Sequence, residues 1–147
     1  MTYKKTTAVI FEKPGMLEVR EASLRAPAAN ECLIESDWSG ISTGTERLML
    51  TGRMPPFPGL GYPLIPGYET VGKVLESPEG SALRPGTYVF APGSVGFIDA
   101  KNLFGGSARH LICPEDRLIP LPEKLGPNGV LLALAATALH ALRRCEH

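Results

Sequence analysis

Hydrophobic and polar positions alternate in short bursts broken by proline and glycine, and this rhythm holds up to about residue 126. Residues 6–11 (TTAVIF) and 16–24 (MLEVREASL) have the period-two spacing of strands around a Lys13-Pro14-Gly15 turn. They predict a hairpin with Leu17, Val19 and Glu21 on one side. The clearest strand covers 31–38, where Cys32, Ile34, Ser36 and Trp38 alternate with Glu31, Leu33, Glu35 and Asp37, the pattern of a strand buried on one face. After a Gly40–Gly44 turn, Thr43-x-x-Glu46 matches a capping box ahead of Leu48-Met49-Leu50 and predicts a short helix closed by Gly52. The stretch 53–67, RMPPFPGLGYPLIPG, has too many prolines for a helix or a central strand. It predicts a surface loop unusually rich in apolar side chains.

Further strands are expected at 68–77, 86–90, 108–113 and 117–121, with a glycine-rich connection over 93–106. From Pro127 the rhythm changes: LLALAATALHAL is apolar on nearly every side, which predicts a helix covered all round. The apolar run Val130 to Leu142 is too short for a transmembrane segment, so a buried helix is expected. About seven or eight strands followed by one or two helices predict a mainly β fold, a partly open barrel or sandwich with a helical end. Nothing earlier in the chain supplies a second layer for that helix, so the pattern points to a longer protein.

Composition narrows the function classes. The 147 residues fit one domain, and 16 glycines with 14 prolines suit many short strands joined by turns. Fifteen Lys plus Arg balance fifteen Asp plus Glu, with no basic stripe, which argues against a nucleic-acid partner. Cys32, Cys113 and Cys145 are odd in number and far apart, which argues against a disulfide framework and for a reducing cytoplasm. The N-terminal MTYKKTTAVIFE carries no apolar leader core.

Candidate chemistry concentrates between Trp38 and Glu69, where hydroxyls, a tyrosine and a carboxylate are bracketed by turn residues. Each has a structural alternative. Tyr68 at a strand start is commonly a half-buried packing residue. Thr43 and Glu46 can serve only as a helix cap, and Glu69 can serve only backbone amides. Met49, Met54, Phe57 and Tyr62 suit a core, yet the prolines around the last three favour a loop with apolar groups offered to a ligand. Arg47 and Arg53 are either solvated or available to a ligand carboxylate. His110 and His140 are isolated, which fits core or surface positions better than metal ligation. Gly-x-Gly-x-x-Gly is absent: Gly59-Leu60-Gly61 runs into Tyr-Pro-Leu with no helix behind it, so no dinucleotide site is expected within the chain.

Several stretches together resemble the medium-chain dehydrogenase/reductase superfamily, in its N-terminal GroES-like domain. TTAVIFEKPGMLEVRE resembles its first hairpin, IPGYETVGKVLE its Pro-Gly-His-Glu-x-x-Gly-x-Val segment, and LRPGTYVF its Gly-Asp-x-Val strand. FGGSARHLICPEDRLIPLPEKL resembles the closing strands, and SGISTGTE stands where zinc members read Gly-Ile-Cys-x-Ser/Thr-Asp. SGISTGTERLMLTGRMPPFPGLGYPLIPGYETVG, with LFGG and LLALAATALHAL, is similar to the branch that oxidises a 1-hydroxyethyl group on a bacteriochlorophyllide-type tetrapyrrole to acetyl in bacteriochlorophyll biosynthesis.

The resemblance implies a GroES-like substrate domain over 1–126 and, over 127–147, the start of a linker helix to a Rossmann domain outside the chain. It implies NAD as hydride acceptor, with Thr137 reaching the cofactor, and a tetrapyrrole substrate against Trp38, Arg47, Met49, Arg53, Met54, Phe57 and Tyr62. It implies no zinc, since Ser42 and Tyr68 stand where the zinc enzymes have cysteine and histidine, and both are poor zinc ligands. Without a Lewis acid a side chain must take the hydroxyl proton. Tyr68 is the candidate, as base or hydrogen-bond donor, with Glu69 orienting or relaying and Ser42, Thr43 and Thr45 as alternative relay hydroxyls. The fragment alone is expected to be inactive and, through its apolar helix, open to self-association. Its setting is expected to be cytoplasmic, with pigment-pathway membranes nearby. The alternatives are a zinc-free quinone or enone reductase of the same superfamily and a non-enzymatic tetrapyrrole-binding module.

Overall fold

The computed structural model describes residues 4–145. Strands β1 (Lys4–Lys13) and β2 (Met16–Leu24) form the expected hairpin. Then come β3 (Glu31–Ser39), the short helix α1 (Thr45–Leu50), β4 (Thr70–Glu76), β5 (Tyr88–Ala91), β6 (His110–Pro114) and β7 (Ile119–Pro120). The five later strands make one antiparallel sheet in the order β6-β3-β4-β5-β7. Single bridges, Ala8 to Ala108 and Leu24 to Phe97, tie the hairpin to the run before β6, so the two sheets curl toward each other without closing. This is the partly open, mainly β architecture that the alternating pattern implies.

β3 departs from the expected one-sided burial. Leu33 packs with Ile10, Leu24 and Ile112, while its neighbour Ile34 packs with Val74, Val89 and Leu111, so its first half has a core on both faces. The reason is position: β3 is a central strand, and the hairpin covers the face that the sequence pattern assigns to solvent. Past Ser36 the ladder slips, and Trp38 is 54% exposed. On β2, Leu17 and Val19 also face solvent, and its core contribution is Ala22 and Leu24. The strand expected over 117–121 shrinks to Ile119–Pro120 behind a 3-10 turn, Glu115–Arg117, because prolines on both sides cannot donate to a ladder. His110 is buried and bonded to the Thr6 hydroxyl at 3.1 Å, a core histidine whose pKa burial pushes down.

The C-terminal segment is the larger correction. Glu123–Leu131 is 3-10, broken at Gly126, and α2 proper spans Leu132–Cys145. None of its residues is buried, and Leu134, Leu139 and Leu142 face solvent. Only its entry is anchored, by Val130, Leu132 and Ala133 against Val71, Tyr88 and Phe90. A helix expected to be covered all round is therefore left uncovered beyond its entry. Taken together, Glu123–Cys145 has the length and composition to cross a membrane (mean hydropathy 1.5), which the shorter apolar run alone does not.

Candidate active site

The site is assembled by two close backbone approaches. Gly106 N–H donates to Gly67 O at 2.8 Å and Ser107 N–H to Pro66 O at 2.9 Å, clipping the end of the proline-rich loop to the glycine-rich connection. Gly67 has φ +97°, and a Cβ there would sit 2.8 Å from Ser107 N, so only glycine permits the clip. The next side chain, Tyr68, then packs edge-on against Phe104 with ring centroids 5.2 Å apart and planes at 67°. Such a pair contributes about 0.5–1.5 kcal/mol beyond its burial.

The second approach joins Gly40 to Glu69. Gly40 N–H donates to Glu69 O at 2.7 Å, and a Cβ on Gly40 would lie 2.4 Å from Glu69 Oε2. The carboxylate is therefore walled in: Glu69 is 5% exposed and its Oε1 has no hydrogen-bond partner among the described residues. Burial raises its pKa. Glu46 is buried as well, and its pKa is raised first by burial and further by the charge on Glu69, so the two carboxyl groups are neighbours. Glu46 Oε2 accepts from Ser42 N–H at 3.1 Å, and Ser42 Oγ accepts from the N–H groups of Gly44 and Thr45 at 3.3 and 3.2 Å. The N-cap of α1 is Gly44, which has no side chain to cap it, and the hydroxyl that takes up the entering amides is Ser42, one residue earlier than the expected Thr43. Thr43 is exposed and bonds to nothing among the described residues.

Beside this polar knot lies an apolar cleft of about 410 Å³, lined by Thr45, Met54, Phe57, Tyr68, Phe90, Pro92, Leu103, Phe104, Arg117 and Ala133. The Tyr68 hydroxyl has no partner among the described residues and is available to a ligand. Of the residues the sequence singles out, Tyr68, Thr45, Met54 and Phe57 meet in this cleft. Ser42 and Glu69 do not line it. Met49 is fully buried with Phe11, Leu64 and Leu103, a core residue of α1, and its carbonyl accepts from the Tyr62 hydroxyl, which ties the loop to the helix. Arg47 and Arg53 are exposed and do not line it. Trp38 borders a separate groove with Val19, Ile41 and Arg109. Thr137 is exposed on α2 and donates to Ala133 O at 3.0 Å. Phe90, Leu103 and Phe104 escape sequence reasoning; the glycines after Phe104 are their nearest signal. For Arg117 the sequence holds no signal.

The donors gathered here do not fit a zinc ion. Ser42 Oγ is taken by two amides, Tyr68 presents a ring and a phenol, and no group of three His, Cys, Asp or Glu able to hold a metal occurs among the described residues. Every ladder in the two sheets is antiparallel, so no βαβ unit for a dinucleotide is present among them either.

Over 97% of its length the chain is 47% identical to the 2-desacetyl-2-hydroxyethyl bacteriochlorophyllide A dehydrogenase of Cereibacter sphaeroides, covering 46% of that protein. It is 45% identical over 94% of its length to the enzyme of the same name from Rhodobacter capsulatus, covering 44% of it. The chain thus spans about half the length of these curated relatives. Among solved structures, 2R,3R-butanediol dehydrogenase from Bacillus subtilis aligns with 94% of this chain and 47% of its own (TM-score 0.75, 22% identity), which speaks for the fold alone. The Sorghum bicolor cinnamyl alcohol dehydrogenase does so with 95% and 49% (TM-score 0.72, 20% identity). Residues 28–123 match the alcohol dehydrogenase GroES-like domain, and the chain belongs to that family.

Proposed function

We propose that this chain is the substrate-carrying part of an NAD-dependent dehydrogenase that oxidises a hydroxyethyl group on a bacteriochlorophyllide-type macrocycle to acetyl. The observation that carries this function is the cleft. At the position of a zinc-binding imidazole stands Tyr68, its hydroxyl free, on the wall of an apolar hollow edged by Phe57, Phe90 and Phe104. The names of the two relatives above 40% identity supply the substrate class.

In this proposal the reaction proceeds without zinc. Hydride loss from a carbinol next to a conjugated ring leaves positive charge that the ring spreads, so little external polarisation is required. Tyr68 hydrogen-bonds the substrate oxygen, and Thr45, also on the cleft, is the relay hydroxyl. Glu69 follows Tyr68 in sequence, and burial raises its pKa, so its ionised form is the stronger proton acceptor; the substrate's hydroxyl proton passes through the relay hydroxyl to Glu69 as hydride leaves for NAD. Ser42 and Thr43 are less suited: the first caps α1 and the second faces water. NAD supplies the hydride acceptor. It would be held by a Rossmann domain outside residues 1–147, packed where α2 exposes Leu134, Leu139 and Leu142. Residues 1–126 are then the substrate domain and 127–147 the start of the link. The setting we propose is the cytoplasm, beside the membranes where the pigment is made.

The test is NAD-dependent oxidation of the hydroxyethyl pigment by this chain supplied with a nucleotide-binding domain, with metal analysis alongside. Turnover without zinc supports the proposal. Stoichiometric zinc with activity lost on its removal refutes the zinc-free reaction, and turnover by residues 1–147 alone refutes the division of labour. Pigment binding with no turnover in the complemented enzyme favours the non-enzymatic module.

A further inference from the structure

We infer that Arg117 is the anion-recognising residue of the cleft and takes the carboxylate of a flat, apolar ligand; the inference rests on the function proposed above. The cleft is walled by Met54, Phe57, Phe90, Leu103 and Phe104, and Arg117 is the charged side chain among its lining residues. Arg20, Arg25 and Arg109 are each paired with a glutamate, Glu12, Glu31 and Glu35 respectively. Arg117 has no ion pair or hydrogen bond among the described residues. Its acidic neighbours are engaged elsewhere: Glu115 Oε1 accepts from the Ser81 hydroxyl at 2.6 Å, and Asp116 borders a different hollow with Asn30 and Leu83.

The local fold fixes the backbone that carries the guanidinium. Arg117 ends the three-residue 3-10 turn between β6 and β7, and Leu118 behind it is buried, with its N–H on Glu115 O at 3.1 Å. The backbone is thus fixed at the cleft edge while the side chain stays uncommitted. Arg47 and Arg53, the arginines that the sequence offers for this role, do not line the cleft. An apolar wall with a single unpaired fork complements a hydrophobic plane bearing one carboxylate. Guanidinium–carboxylate pairs are bidentate and about twice as strong as neutral hydrogen bonds. An unesterified chlorin pigment has this pattern, and its methyl ester lacks it.

The experiment titrates the 147-residue chain with bacteriochlorophyllide a and with its methyl ester, following pigment absorbance in dilute detergent. The chain is expected to bind the acid roughly tenfold tighter than the ester. Arg117→Met is expected to weaken the acid by about that factor and to leave the ester within about twofold, while Arg117→Lys keeps part of the preference. Arg84→Gln, an exposed arginine away from the cleft, changes neither. Equal weakening of acid and ester by Arg117→Met, or no weakening of either, overturns the inference and leaves the pigment function standing. Failure of the unaltered chain to bind either pigment overturns both.

Discussion

Two regions meet at consecutive residues of this protein and obey opposite physics. Glu69 belongs to a sealed polar knot with Glu46, Ser42 and Gly40, in which the Ser42 hydroxyl and Glu46 Oε2 are committed to backbone amides and Glu69 Oε1 has no partner among the described residues. Tyr68 belongs to an open apolar cleft with Phe104, Phe57 and Phe90, in which the polar atoms of Tyr68 and Arg117 are uncommitted. Side chains alternate in extended backbone, so a step of one residue moves from one region to the other. The difference separates holding from acting: groups satisfied by the fold hold it together, and groups that the fold leaves free are offered to a ligand. It also assigns Ser42, which by position resembles a ligand replacement, to the holding side.

The largest effect tests whether the two regions share one support. In Gly67→Ala a Cβ would strike Ser107 N at positive φ, which is expected to cost about 3 kcal/mol and to lower the melting temperature by ~6–12 °C. A shift below about 2 °C would mean that the clip is not the shared support. Next, Tyr68→Phe is expected to lower kcat by about 100-fold in the complemented enzyme with the melting curve unmoved, since the ring stays and only the free hydroxyl goes. Unchanged kcat would move the proton to Thr45.

Glu69→Gln probes the sealed side through pH. Burial raises the pKa of Glu69 in the folded protein, so the folded state holds that proton more tightly than the unfolded chain does. Its contribution is complete below the ordinary carboxylate range and lost as pH rises through the raised value. Glu46 shifts in the same direction. Relative to Glu69→Gln, the unaltered protein should therefore lose stability as pH rises from the ordinary carboxylate range through the raised value. Melting curves with a constant difference across that range would show that the carboxylate is not desolvated. The smallest effect separates two adjacent hydroxyls: Ser42→Ala should cost about 1 kcal/mol of stability and Thr43→Ala less than ~0.5. A reversed order would restore Thr43 as the cap.

Much of the fold is legible in the chain because strand alternation, proline–glycine turns and a capping pattern are local signals. The hairpin, α1 and the loop over 53–67 follow from residue order alone, and the resemblance of IPGYETVG and SGISTGTE to a known family identifies Tyr68 as the position to watch. What the order of residues cannot express is which face another segment covers. The two-sided burial of β3, the core place of Met49 and the separation of Trp38 from the cleft depend on segments far away in sequence. The same holds for the meeting of Tyr68 with Phe104 and Arg117: only the Gly67–Gly106 clip and the turn after β6 bring residues 68, 104 and 117 to one wall. Chemistry-bearing residue types and local turns are written in the sequence itself. Their division into a sealed knot and an open cleft was decided by tertiary packing, because burial is a property of the covering segment as much as of the residue covered.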